Sequence, residues 1–183
     1  YFVKWGGQFE LQQKANQRLM IVVPITLVLV LLMLYINFGS LPNALLIMLN
    51  IPLALVGGIV ALWLAGLSLS VPASVGFIAL FGIALENALV LVSYLNEQVR
   101  QGVPVARACV AAASARLRPV LMTAVTTGLG LIPLLFATGT GSEVQRPLAT
   151  VVVGGLVTAT LLTLLVIPAL YPWFTGAKAQ KAA

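Results

Sequence analysis

Five stretches of this chain are each long and apolar enough to cross a bilayer, and this removes most folds from consideration. A spanning helix needs about 20 predominantly apolar residues, and the stretches run approximately over 20–36, 45–65, 72–94, 120–137 and 149–173. In hydrocarbon every backbone N–H and C=O must be satisfied inside the segment, so such stretches become helices. Hydrophobic residues make up 61% of the chain and charged residues 8%, with a mean hydropathy of +1.08. A soluble domain carries roughly 25% charge. The expected fold is therefore an all-α integral membrane protein of five transmembrane helices.

The breaks between spans are legible from turn-forming residues. Asn37-Phe38-Gly39-Ser40-Leu41-Pro42-Asn43, Gly66-Leu67-Ser68-Leu69-Ser70 and Thr138-Gly139-Thr140-Gly141-Ser142-Glu143 read as short turns. The one long connection, 96–119, contains Arg100, Arg107, Arg116 and Arg118, which orients it toward the cytoplasm. An odd number of spans then puts the N-terminal stub outside and the tail, 176–183, inside. Within the connection, Gly102-Val103-Pro104 reads as a stop followed by a helix start. Val105, Ala108, Cys109 and Ala112 share one face against Arg107, Ser114 and Arg118, the pattern of a short cytoplasmic helix on the membrane surface.

Glu86 is the one carboxylate inside any of the apolar stretches. A carboxylate at bilayer depth costs on the order of 3 kcal/mol on insertion scales, so it faces a protein interior or a water path and marks an ion or proton site. Gly76, Ala79, Gly82 and Glu86 recur at three- and four-residue spacing, which predicts one small and polar strip along the third span. Asn87 lies about 100° round the helix from Glu86. Thr123, Thr126 and Thr127 on the fourth span carry hydroxyls able to donate to a carboxylate or relay a proton through water. The expected relay set is Glu86, Asn87, Thr123 and Thr127, with Glu86 either ionised beside a partner outside this chain or kept neutral by burial. The bland alternative is a protonated side chain satisfied by a threonine or a backbone carbonyl. Gly76, Gly82, Gly128, Gly154 and Gly155 are expected to let helices approach closely, because in lipid only packing and interhelical hydrogen bonds hold helices together.

Other chemistries are excluded or disfavoured. The chain has no His and no Asp, which removes a catalytic triad and a His-liganded metal site, and no enzyme activity, resident metal or cofactor is expected. A net charge of +6 would suggest nucleic acid in a soluble chain, but these Lys and Arg lie mostly at the ends of apolar runs, where they set topology and meet lipid head groups. Cys109 is single, so no intrachain disulfide can form. Gly139-Thr140-Gly141-Ser142 lacks the Gly-Lys-Ser/Thr of a phosphate loop. Tyr1 opens the chain with no signal-peptide pattern before the first span, so the sequence reads as a piece of a longer polypeptide.

Several strings together resemble resistance-nodulation-division efflux permeases, in particular the heavy-metal branch. They are Gly6-Gly7-Gln8-Phe9-Glu10 leading into Leu19-Met20-Ile21-Val22-Val23-Pro24, then Ser70-Val71-Pro72-Ala73-Ser74-Val75-Gly76-Phe77-Ile78-Ala79-Leu80. Arg116-Leu117-Arg118-Pro119-Val120-Leu121-Met122-Thr123-Ala124 and Gly139-Thr140-Gly141-Ser142-Glu143-Val144-Gln145-Arg146-Pro147-Leu148-Ala149 follow in order. The resemblance implies that the five spans are part of the C-terminal half of a twelve-span, proton-driven homotrimeric pump of the bacterial inner membrane, exporting heavy-metal cations. It implies a periplasmic adaptor and an outer-membrane channel as partners, and makes residues 1–18 the end of a periplasmic porter domain and its linker. By the same resemblance Glu86 matches an acidic proton-relay position, and Thr123 lies in the matching segment of the next helix. Some members carry Lys just after Arg-x-Arg-Pro where this chain has Val120, so a Glu–Lys pair is not implied. A multidrug-type permease of the same superfamily and a non-transporting five-helix scaffold are the alternatives.

Overall fold

The computed structural model describes residues 8–179, with side chains over 13–174, as six helices, and no strand occurs among the described residues. In chain order these are α1 (Gln8–Phe38), α2 (Leu41–Met48), α3 (Asn50–Leu64), α4 (Val71–Arg100), α5 (Val105–Leu135) and α6 (Ser142–Ala179). Five spans result, Gln13–Phe38, Leu41–Leu64, Val71–Arg100, Val105–Leu135 and Ser142–Phe174, because α2 and α3 together make the second. Their division follows from Pro52, whose ring nitrogen has no N–H for the carbonyl of Met48, the residue where α2 ends. The expectations for 1–7 and 180–183 lie outside the described residues; Gln8 to Arg18 is helix, continuous with the first span.

Glycine closes two of the turns by the same device. Gly66 and Gly102 have φ of +65° and +85°. At the first, Gly66 N–H donates to Trp63 O at 3.1 Å and Leu67 N–H to Leu62 O at 3.0 Å. At the second, Gly102 N–H reaches Val99 O and Val103 N–H reaches Gln98 O, both at 3.1 Å. This paired pattern is the Schellman stop, which needs a left-handed residue and so favours glycine. After Gly66 the chain restarts at Ser70, whose hydroxyl accepts from Ala73 N–H to cap α4, with Pro72 in its first turn.

Two expectations change. The long connection shrinks to residues 101–104, since α4 continues to Arg100 and α5 starts at Val105. The short surface helix is not a separate element but the first part of α5, which runs through Pro119 without a break. A proline removes one hydrogen bond and deflects the axis, yet the alanine-rich turns before it are strong helix formers and carry the helix past it. At 31 residues α5 is about 46 Å long against a hydrocarbon core of about 30 Å, so roughly a third of it, the arginine-bearing end, lies beyond the apolar zone.

Helix α6 is the hub, with α3, α4 and α5 all packed along it. One apolar cluster joins Ala54 and Leu62 of α3, Phe77, Leu80 and Ala84 of α4, and Val151, Leu156 and Ala159 of α6. A second joins Leu34, Leu46 and Ile47 to Leu91, Val92 and Leu95 of α4, Cys109 and Ala112 of α5, and Ile167 and Tyr171 of α6. The periphery is thin. Of the described side chains of α1 only Leu34 is buried, and none on α5 beyond Val120 is.

Candidate functional site

The site is built on α4, whose two faces differ in character. Ala73, Gly76, Phe77, Leu80, Ala84, Ala88, Leu91, Val92 and Leu95 are buried and make the inner face. Val75, Ala79, Gly82, Glu86 and Ser93 are exposed and form an outer strip. The single strip expected from spacing is therefore divided. Gly76 is ten residues from Glu86, about 80° round the helix, and this rotation takes it onto the inner face against α6.

Glu86 lies 15 residues from the start of α4 and 14 from its end, so its Cα is about 21–22 Å from either terminus, in the middle of the helix and within its apolar run. It is exposed there, on a face that no other helix covers among the described residues. Asn87 is half-buried, Thr123 is exposed and Thr127 is half-buried. Among the described residues no hydrogen bond or ion pair joins these four to one another. The Thr123 hydroxyl donates instead to Val120 O at 2.9 Å, within its own helix, and Thr126 does the same to Met122 O at 2.7 Å. Both hydroxyls are thus engaged by backbone carbonyls of their own helix. No group of three His, Cys, Asp or Glu side chains that could hold a metal ion occurs among the described residues.

The packing glycines sort by contact. A Cβ on Gly76 would stand 2.9 Å from Leu148 O and 3.2 Å from Val151 Cβ. One on Gly154 would collide with Ala61, and one on Gly155 with Leu80. Gly82 and Gly128 meet nothing within 4 Å, so they make no close approach among the described residues. Gly57 and Gly58 do, against Thr158 and Phe77. Close approach is therefore concentrated where α6 meets α3 and α4.

Two polar clusters escaped the reading of spacing and charge. In the first, Asn50 Nδ2 donates to Ala84 O at 2.9 Å and to Thr163 Oγ1 at 2.6 Å. In the second, Asn96 Oδ1 accepts from Tyr171 Oη at 2.6 Å and from Asn43 Nδ2 at 3.3 Å, tying α2, α4 and α6 together near their ends. Arg116 of α5 adds a tie beside it, its guanidinium 5.3 Å from the Tyr94 ring centroid. The available signal was Asn50 itself, an amide alone in the apolar run 45–65.

Comparison with known proteins agrees with this architecture. Residues 1–175 match the AcrB/AcrD/AcrF family. The chain is 55% identical over 177 residues to Protein HelA of Legionella pneumophila, covering 96% of this chain and 17% of that protein. It is 50% identical to the cobalt-zinc-cadmium resistance protein CzcA of Cupriavidus metallidurans, over 93% of this chain and 16% of the relative. A crystal structure of a heavy metal efflux pump superposes with a TM-score of 0.85 at 49% identity, over 96% of this chain and 18% of the pump. The chain spans about a sixth of the length of the curated relatives it matches. It belongs to the AcrB/AcrD/AcrF family, as part of the membrane domain of a resistance-nodulation-division permease of the heavy-metal efflux branch.

Proposed function

We propose that this chain is the part of a proton-driven exporter of heavy-metal cations that carries one of the pump's proton-binding carboxylates, Glu86. The observation that carries the reading is the position of that side chain: mid-span, ionisable, and on the face of α4 that is exposed among the described residues. Such a group is too costly to hold against lipid, so the outer strip of α4 faces the remaining helices of the permease or a water path between them. Ala79 and Gly82 on the same strip are small enough to admit a neighbouring helix close to the carboxylate.

In this mechanism Glu86 takes up a proton from one side of the membrane and releases it to the other as the helices rearrange, and metal export is coupled to that cycle. Thr123 and Thr127 of α5, with Asn87, supply hydroxyl and amide groups that hand the proton on through water. The sequence identity to cation-resistance proteins supports metal cations as cargo. Homotrimeric assembly in the bacterial inner membrane, with a periplasmic adaptor and an outer-membrane channel, is the arrangement proposed for the full-length protein.

The test is Glu86→Gln in the full-length permease, which keeps size and hydrogen-bonding capacity and removes the titrating proton. The expected result is normal membrane insertion with loss of metal tolerance in a sensitised host. Undiminished tolerance sinks the assignment.

A further inference from the structure

Behind Glu86, on the opposite side of α4, a polar contact interrupts the apolar core. Ala84 is two residues from Glu86, about 200° round the helix, and its carbonyl accepts from Asn50 Nδ2 at 2.9 Å. The second amide hydrogen of Asn50 goes to Thr163 Oγ1 at 2.6 Å, and that hydroxyl in turn donates to Ala159 O at 2.6 Å. The orientation of the amide is fixed by its partners. A carbonyl can only accept, and a hydroxyl already donating to a carbonyl must accept as well, so both positions require the NH2 end. Asn50 is 1% exposed and Thr163 is fully buried.

The contact sits where it has most leverage. Ala84 and Ala159 belong to one apolar cluster, whereas Ala88 and Ile167, one and two turns further along the same two helices, belong to the other. The clasp therefore joins α3, α4 and α6 at the seam between two non-directional packing regions. Apolar attraction has no preferred direction, whereas the hydrogen bonds of the clasp are satisfied at one relative rotation of the helices. A rotation of α4 by one residue's worth, about 100°, would carry Glu86 off the open face. The arrangement also bears a cost that a leucine at position 50 would not: Asn50 Oδ1 is buried without a hydrogen-bond partner among the described residues.

We propose that Asn50 and Thr163 are positioning residues for Glu86: the clasp fixes the rotation and axial register of α4 against α3 and α6, holding the carboxylate on the open face while the three helices move as one body. This rests on the reading of Glu86 as the proton carrier. Neither residue touches the proton path itself.

The experiment compares Asn50→Leu, Thr163→Val and Thr163→Ser with the parent in the full-length permease. Each is reconstituted in proteoliposomes and assayed with whichever of zinc, cobalt, cadmium or nickel ions the parent exports fastest. Rates are taken per inserted molecule over a series of pH values, with Glu86→Gln alongside. The expected result is a displaced pH profile and a maximal rate about tenfold or more below the parent for Asn50→Leu, the scale on which misplacing a reacting group acts. Half-saturation by the metal should stay unchanged. Thr163→Val should shift the same way more weakly, and Thr163→Ser, which keeps the hydroxyl, should restore the parent profile. If Glu86→Gln is inactive while Asn50→Leu and Thr163→Val keep the parent's profile and rate per molecule, the clasp is structural only and the inference is overturned. Lower membrane levels with unchanged behaviour per molecule overturn it as well. If Glu86→Gln transports normally, the reading of Glu86 fails and the inference falls with it, an outcome distinct from the others.

Discussion

Glu86 and the glycines show how far single residues can be read from the sequence. The carboxylate was legible because charge in an apolar run is expensive, and the structure places it in the middle of α4. The sorting of the glycines was not legible, because spacing gives a residue's angle on its own helix and not the place of the neighbour. Gly76 and Gly82 look alike in sequence, yet one lies against Leu148 and the other against open space. We expect Gly76→Ala in the purified permease to lower its stability by about 1–3 kcal/mol, the usual cost of overpacking. Because the nearest atom is a backbone oxygen at 2.9 Å, side-chain repacking alone cannot relieve the contact. Thermal unfolding in detergent measures this, and an unchanged midpoint contradicts the packing described. Gly154→Leu, which drives a large side chain into Ala61, should prevent accumulation in the membrane altogether.

Among elements, the number of spans was legible and their ends were not. Hydropathy marks only the portion of a helix that crosses hydrocarbon, so α4 was expected to stop near Tyr94 although it continues to Arg100. What ends it is the left-handed Gly102, a backbone requirement and not an apolar one. The same limit divided α5 at Pro119, where a proline signal outweighed strong helix formers on its N-terminal side. Interhelical hydrogen bonds left no periodic trace at all, since Asn43, Asn96 and Tyr171 meet through tertiary packing across 128 residues of chain. Tyr171→Phe removes one of the two bonds accepted by Asn96 and should destabilise the packing of α2, α4 and α6 by about 0.6–1.5 kcal/mol. A double-mutant cycle with Asn96→Leu checks this: the two losses should be markedly non-additive, and simple additivity would mean the contact carries no energy.

At the scale of the whole molecule, the five spans form a well-packed centre around α6 with two open flanks. Most of α1, the outer face of α5 and the outer strip of α4 are exposed among the described residues, as expected of a unit spanning about a sixth of its relatives' length. Residues 1–183 expressed alone should insert and yet export no metal, because the single mid-span carboxylate lacks its facing helices. Metal efflux by that unit in proteoliposomes would contradict the proposal. The role of Glu86 is decided by metal transport in the reconstituted full-length permease under an imposed pH gradient, parent against Glu86→Gln. Gradient-driven transport by the parent and none by the variant, at equal amounts of inserted protein, is the expected result, and an equal response of the two to the gradient would contradict a proton-carrying Glu86.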